Sequence, residues 1–258
     1  STGADDDAPA SSSSSSVTLA MPTVAIIGGT GKTGKWAVKG AIVRGFAVRV
    51  LGRSPDKVGD ILAELFPDTR KDDLLQKVTV VKGDVSNKDT VLELIRGTDV
   101  VMCFLGMVKP PEWVVRPGVE SIMEAMRSLS SPPKFLHMSS VSVGDSREQG
   151  NKAWGCCIVC LVWKVFLTAC FKDMEAAEEY ISMNKAGLNV TVLRATILAD
   201  QSGYLKDYAS RTPGYKLVRV GENAKLTMQV DRQDVAEAFL DACVSSELEN
   251  QSISVFAA

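Results

Sequence analysis

The sequence predicts an α/β fold, a doubly wound parallel sheet in one domain with a small C-terminal extension on the substrate side. Three observations lead there. Short apolar runs such as Val24–Ile27 carry no polar face, as expected of strands covered on both sides. These runs alternate with longer segments of helical character, the order of βαβ units. The first run enters a glycine turn, Gly28-Gly-Thr-Gly-Lys-Thr-Gly34, that opens a helix.

That turn reads as a phosphate cradle. Gly-x-Gly-x-x-Gly fits positions 29, 31 and 34, overlapped by Gly-x-x-Gly-x-x-Gly at 28, 31 and 34. Gly29 and Gly31 are expected to let the backbone turn and approach a pyrophosphate, and Gly34 to let the next helix pack on the strand. Amides at the helix N-terminus would point at the anion, aided by the helix dipole. Gly31-Lys32-Thr33 resembles the end of a Walker A loop, but that motif needs glycine at position 26, where Ile26 stands. A tight turn with no ligand is the plainer alternative; strand, glycines and helix in this order favour the cradle.

Composition narrows the partners. The chain has 258 residues, 45% of them apolar, enough for a sizeable core, and a formal net charge of −2 offers no basic stripe for nucleic acid. The one histidine, His137, reads as a strand-end residue, so no metal site is expected. Cys103, Cys156, Cys157, Cys160, Cys170 and Cys243 read as small apolar side chains in a reducing compartment, the cytoplasm or an organelle matrix or stroma. Cys157-x-x-Cys160 has no second pair at zinc spacing. Residues 1–20, with Asp5–Asp7 and Ser11–Ser16, read as a disordered tail, acidic unlike a transit peptide, and the domain is expected over 21–258.

Along the chain, a helix is expected over Lys32–Arg44 and a second strand over Phe46–Leu51, ending in Gly52-Arg53-Ser54. A site for NAD usually places a carboxylate there, to hold the ribose hydroxyls. Here stands Arg53, with Lys57 one turn on; a guanidinium clamps the additional phosphate of NADP, so NADP(H) is the expected cofactor. A helix near Pro55–Phe66 and a charged loop lead to strand Val78–Lys82 and then Gly83-Asp84-Val85. Asp84 either accepts from the adenine amino group or caps the helix that starts near Asn87 and runs to Arg96.

Strand Asp99–Leu105 ends in Leu105-Gly106, where backbone can pass close to a nucleotide. Pro117–Leu129 reads as a helix, Lys134–Met138 as the fifth strand with Ser139-Ser140 at its end, and Asn189–Leu193 as the sixth. Between them, Ala153–Phe171 carries Lys164 as its only charge. A membrane crossing there would put strands five and six on opposite sides of a bilayer, so no transmembrane span is expected. The segment reads as a buried core helix, with a membrane-surface or protein-docking face as the alternative. Asp173–Lys185 reads as a solvated helix and turn-rich Asp200–Gly214 as a substrate loop. Tyr215–Val220 and Lys225–Val230 read as short strands, Asp231–Ser245 as a capped helix, and Ser252–Phe256 as a last strand.

Taken together, the glycine turn, Arg53 closing strand two, Gly83-Asp84-Val85, Ser139-Ser140 and Gly187-Leu-Asn-Val-Thr-Val-Leu-Arg194 resemble an atypical short-chain dehydrogenase/reductase over residues 22–257. Within that Rossmann superfamily the chain is similar to NAD(P)-binding NmrA-like proteins, most of all to the biliverdin IXβ reductase/flavin reductase group. The resemblance implies pyrophosphate contacts at Gly28, Thr30, Gly31, Lys32, Thr33 and Gly34, and Arg53 on the 2′-phosphate. It implies Asp84 and Val85 by adenine, Leu105 and Gly106 along the ribose, and Ser140 near the nicotinamide and acceptor, with Ser139 beside it.

Two departures bear on mechanism. Many relatives reduce carbonyls through Tyr-x-x-x-Lys, which this sequence lacks: Lys172 has Thr168 in the tyrosine position, and the family lysine falls near Glu175 or Ala176. Leu-Arg-Pro-Gly is replaced by Leu193-Arg194-Ala195-Thr196. Ordinary ketone reduction is thereby disfavoured. The expectation is an NADPH-dependent reductase of a flavin or linear tetrapyrrole, whose conjugation stabilises the charge left by hydride transfer. The alternative is a non-catalytic NADP(H) binder, a sensor, assembly factor or complex subunit that docks through 153–171.

Overall fold

A computed structural model describes residues 21–106, 113–141, 143–154, 158–200, 214–219, 222 and 226–258, with the backbone alone over 151–154 and 158–170. The chain runs β1 (Thr23–Ile27), α1 (Gly34–Val43), β2 (Ala47–Gly52), α2 (Pro55–Leu65), α3 (Lys71–Leu75), β3 (Val78–Lys82), α4 (Lys88–Ile95), β4 (Val100–Cys103) and α5 (Val115–Arg127). It continues with β5 (Lys134–Ser140), a 3-10 turn at Gly144–Ser146, α6 (Arg147–Trp154), α7 (Ile158–Asn184), β6 (Val190–Ala195), β7 (Ile197–Ala199), β8 (Tyr215–Arg219), β9 (Gln229–Asp231), α8 (Arg232–Val244) and β10 (Ser252–Ala257).

The main sheet has the order β3-β2-β1-β4-β5-β6-β10-β8, and every pairing in it is parallel except β10 with β8. This is the doubly wound fold predicted, with the chain reversing direction across the sheet at β1 and β4. Parallel strands put the turns after β1 to β6 on one edge, which is where a ligand site forms in such sheets. Strand alternation splits the core. Val24, Ile26, Met102, Leu136 and Leu193 pack beneath α1 and α8, whereas Ala25, Ile27, Val101, Phe135 and Val190 pack beneath α4, α5 and α7. The Phe104 and Phe239 rings, 4.4 Å apart between centroids, close the first layer near the ligand edge.

Several elements depart from expectation. Residues 71–75 of the anticipated charged loop form α3, and Ile197–Ala199 pairs with Gln229–Asp231 as a small parallel sheet beside the main one. The segments read as a core helix to Phe171 and a solvated helix from Asp173 are continuous: no glycine or proline interrupts 158–184, and α7 runs through as one helix. His137 is not a strand-end residue, because β5 continues to Ser140 and buries the ring completely. The tail 1–20, segment 107–112, Cys156 and Cys157, and most of Asp200–Gly214 lie outside the described residues, as do the side chains of Cys160 and Cys170. Among the described residues no helix is long and apolar enough to cross a membrane.

Candidate functional site

The glycine turn is built by close backbone contacts. Gly28 has φ +79°, a left-handed conformation that favours glycine, and a Cβ there would stand 2.9 Å from the carbonyl carbon and oxygen of Phe104. The ends of β1 and β4 are therefore in backbone contact, reinforced by the Phe104 amide donating to the Ile27 carbonyl at 2.9 Å. A Cβ on Gly34 would lie 2.2 Å from the Gly28 oxygen. Gly29 does something other than expected: its φ is not positive, and its added Cβ would meet Val50 and Val38 side chains at 3.0 and 3.1 Å. It admits the β1 turn between β2 and α1, and the special conformation belongs to Gly28.

Gly31 donates to the Gly28 carbonyl at 2.9 Å and Lys35 to the Gly31 carbonyl at 3.1 Å. Among the described residues, the amides of Lys32 and Thr33 donate to no backbone carbonyl. Thr33, the N-cap of α1, makes no side-chain capping bond, and the first turn holds no acidic residue. A ten-residue helix thus presents an uncompensated positive end beside exposed Gly31 and Lys32. Helices α4 and α8 differ: Asn87 accepts from the Asp89 and Thr90 amides, and Asp231 from the Gln233 amide. The cradle fits a pyrophosphate, since an anion supplies what the α1 terminus lacks.

Around it stand the other predicted residues. Arg53 follows β2 and is exposed, with Lys57 exposed in the first turn of α2. Asp84 is not a helix cap, because Asn87 already holds that position. Its carboxylate accepts from the Ser86 amide at 3.0 Å and hydroxyl at 2.8 Å; these bonds, with a smaller contribution from the Arg53 charge, hold its pKa below the usual value. The β2 and β3 ends are tied by the Gly83 amide donating to the Gly52 carbonyl at 3.2 Å. Val85 is buried among core residues. Leu105 and Gly106 are half-buried, and a Cβ on Gly106 would come within 3.9 Å of Met138 Cε, linking the ends of β4 and β5.

The two serines part company. Pairing sets Ser139 beside Arg194, on the face of Phe135 and His137, and Ser140 beside Ala195, on the face of Met138. Ser139 is buried, its hydroxyl without a partner among the described residues, whereas Ser140 is half-buried. Next to them an ion cluster that the sequence reading missed, with Arg194 and Glu178 buried and Asp145 exposed, ties three elements together. The Arg194 guanidinium, 3% exposed, donates to Glu178 of α7 at 3.0 and 2.5 Å and pairs with Asp145 of the 3-10 turn. Gly144 at φ +59° leaves room for it, since a Cβ would stand 2.7 Å from Glu178 Oε2. Only the sixteen-residue spacing of opposite charges hinted at the pair, and a spacing that long predicts no contact.

No described residue here is a proton donor of the tyrosine kind. Burial, with a further push from the Arg194 charge, lowers the His137 pKa to about 4, so its ring is neutral. Lys172 is exposed, and Arg194 is locked in its ion pairs. A cavity of about 520 Å³, lined by Glu178, Lys185, Val190, Val192 and Gln251 among others, lies against α7 and the starts of β6 and β10, apart from the cradle.

Solved structures share this fold. A short-chain dehydrogenase/reductase from Veillonella parvula, solved with NADP, superposes with a TM-score of 0.66 at 17% identity, covering 91% of this chain and 94% of that one. ChuY, an anaerobillin reductase from Escherichia coli O157:H7, gives 0.66 at 16% identity over 91% and 97%. The oxidoreductase ylbE from Lactococcus lactis gives 0.68 at 15% over 92% and 91%. At such identities these likenesses show a shared fold. The family model described as NAD(P)H-binding matches residues 28–246, and the chain therefore belongs to the NAD(P)H-binding family of Rossmann-fold proteins.

Proposed function

We propose that this protein is an NADPH-dependent reductase of a conjugated acceptor, a flavin or a linear tetrapyrrole. The observation that carries the reading is a nucleotide cradle with no strong proton donor among the described residues at the ends of β5 and β6. When bound, the dinucleotide supplies the hydride. The α1 amides and Lys32 would hold its pyrophosphate, Arg53 with Lys57 its 2′-phosphate, and Leu105-Gly106 its ribose. Exposed Arg53 and Lys57 after β2, with Arg53 rather than a carboxylate directly following the strand, favour NADPH over NADH.

A ketone reduced by hydride needs a proton at the developing alkoxide. A flavin or tetrapyrrole spreads the charge over its conjugated system, and water can then protonate it. The chain's part is alignment, with Ser140 offering a hydroxyl to the acceptor and the strand ends fixing the reacting rings. That ChuY is an anaerobillin reductase supports a tetrapyrrole as acceptor. The test is the loss of NADPH absorbance with FMN, riboflavin or biliverdin, beside controls with NADH and without acceptor. Saturable turnover with NADPH that falls in Ser140→Ala supports the proposal. NADPH binding with no turnover on any of these acceptors overturns it in favour of a non-catalytic binder.

A further inference from the structure

Helix α5 has no cap of its own: Val114 at its N-cap makes no side-chain bond, and its first turn carries no acidic residue. A carboxylate from another helix takes that place. Asp173 of α7, 5% exposed, accepts from the amides of Val114 at 3.0 Å and Val115 at 2.9 Å through Oδ2, and from Arg116 at 2.9 Å through Oδ1. Three of the terminal amides are thereby paired, with a negative charge against the positive helix end. The Arg116 guanidinium lies 3.9 Å from the centre of the Tyr180 ring, a second tie between the same two helices.

That first turn carries Gly118, whose amide donates to the Val114 carbonyl at 3.1 Å. A Cβ on Gly118 would stand 2.4 Å from Leu105 Cδ1 and 3.2 Å from Val85 Cγ2, so both side chains close directly on the bare helix backbone. Leu105 and Val85 belong to the segments that follow β4 and β3 at the ligand edge. The start of α5 is therefore the wall behind two stretches of the dinucleotide site, and its position is set by Asp173.

We propose that Asp173 is a positioning residue for the dinucleotide, acting through the α5 N-terminus and Gly118 on Leu105-Gly106 and Val85. The inference rests on NADPH occupying the cradle described above. Without the carboxylate, three amides, that of Val115 buried and those of Val114 and Arg116 part-buried, lose their acceptor, the first turn of α5 loosens, and Leu105 and Val85 lose their fixed backing.

The experiment is a fluorescence titration of NADPH into wild type, Asp173→Ala, Asp173→Asn, Gly118→Ala and Leu74→Ala, well below each melting temperature. Leu74, buried in α3 away from the ligand edge, serves as the control for lost stability. Asp173→Ala is expected to raise Kd roughly tenfold, as for residues acting on a site through packed neighbours. Asp173→Asn keeps one oxygen acceptor and is expected between it and wild type. Leu74→Ala lowers Tm and leaves Kd within about twofold, as distant sites act independently. Should Asp173→Ala fail to fold, Gly118→Ala tests the same path from its other end, with a raised Kd expected. Unchanged Kd in the Asp173 variants that fold overturns the proposal, whatever Gly118→Ala does, and leaves Asp173 a cap for the fold alone. A wild type that does not bind NADPH overturns the cofactor reading first and this inference with it.

Discussion

Substituting Gly34 and Gly31 separately by alanine divides the fold of the cradle from its ligand. In Gly34→Ala the new Cβ would lie 2.2 Å from the Gly28 oxygen, 2.8 Å from its carbon and 3.0 Å from Gly29 Cα, all backbone. Ordinary contact begins near 3.4 Å, so β1's end and α1 must part by about 1.2 Å. Neither side can give by rotating a side chain, because Gly28 is itself held against Phe104. Overpacking of this kind costs about 1–3 kcal/mol, which in a domain of this size lowers Tm by about 2–10 °C. Gly31→Ala meets only the Gly28 oxygen, at 3.1 Å and so about 0.3 Å inside ordinary contact, and its position is exposed, so Tm should fall much less than in Gly34→Ala. Its methyl group would instead stand where the pyrophosphate approaches. NADPH affinity should then fall at least about tenfold, near 1.4 kcal/mol. Thermal melts and NADPH titrations on both variants check this. A Gly31→Ala protein that binds NADPH like wild type would refute the cradle, and an undisturbed Gly34→Ala protein would refute the steric argument.

Three further outcomes are expected. Arg53→Ala should weaken NADPH by about tenfold to a hundredfold, the range for a lost charge-assisted pair, and NADH far less; equal losses in parallel titrations would remove Arg53 from the 2′-phosphate. Because the His137 pKa falls from 6.5 to about 4 on folding, the unfolded chain takes the proton first. Stability should decline by up to about 3 kcal/mol as pH falls from 6.5 towards 4, and in His137→Leu this part of the decline should vanish from urea titrations. Glu178→Gln leaves the buried Arg194 guanidinium with Asp145 as its remaining counter-charge and should cost about 1.5–3 kcal/mol, read as a lower urea midpoint at unchanged slope.

The fold was legible because its signals are local. The polar-free run before Gly28, glycines at fixed spacing and strands separated by helix-length segments are covalent neighbours, and each element follows from a few side chains in a row. The place of Arg53 was legible for the same reason: it stands directly after a strand end. The ion cluster was not, because Arg194, Glu178 and Asp145 come from a strand, a helix and a turn, and charge alone does not tell a solvated glutamate from a buried one. Asp173 looked like the start of an acidic, water-facing helix; packing α7 beside α5 buried it and gave it three amides to hold.

By itself the sequence determined a doubly wound sheet whose first strand opens on a glycine turn, since backbone conformation and strand burial depend on nearest neighbours. Only the tertiary structure decided that Gly28 takes the left-handed turn, that Ser139 and Ser140 face opposite layers, and that Asp173 holds the N-terminus of α5. These depend on which segments meet across the sheet, and that is settled when the whole core closes.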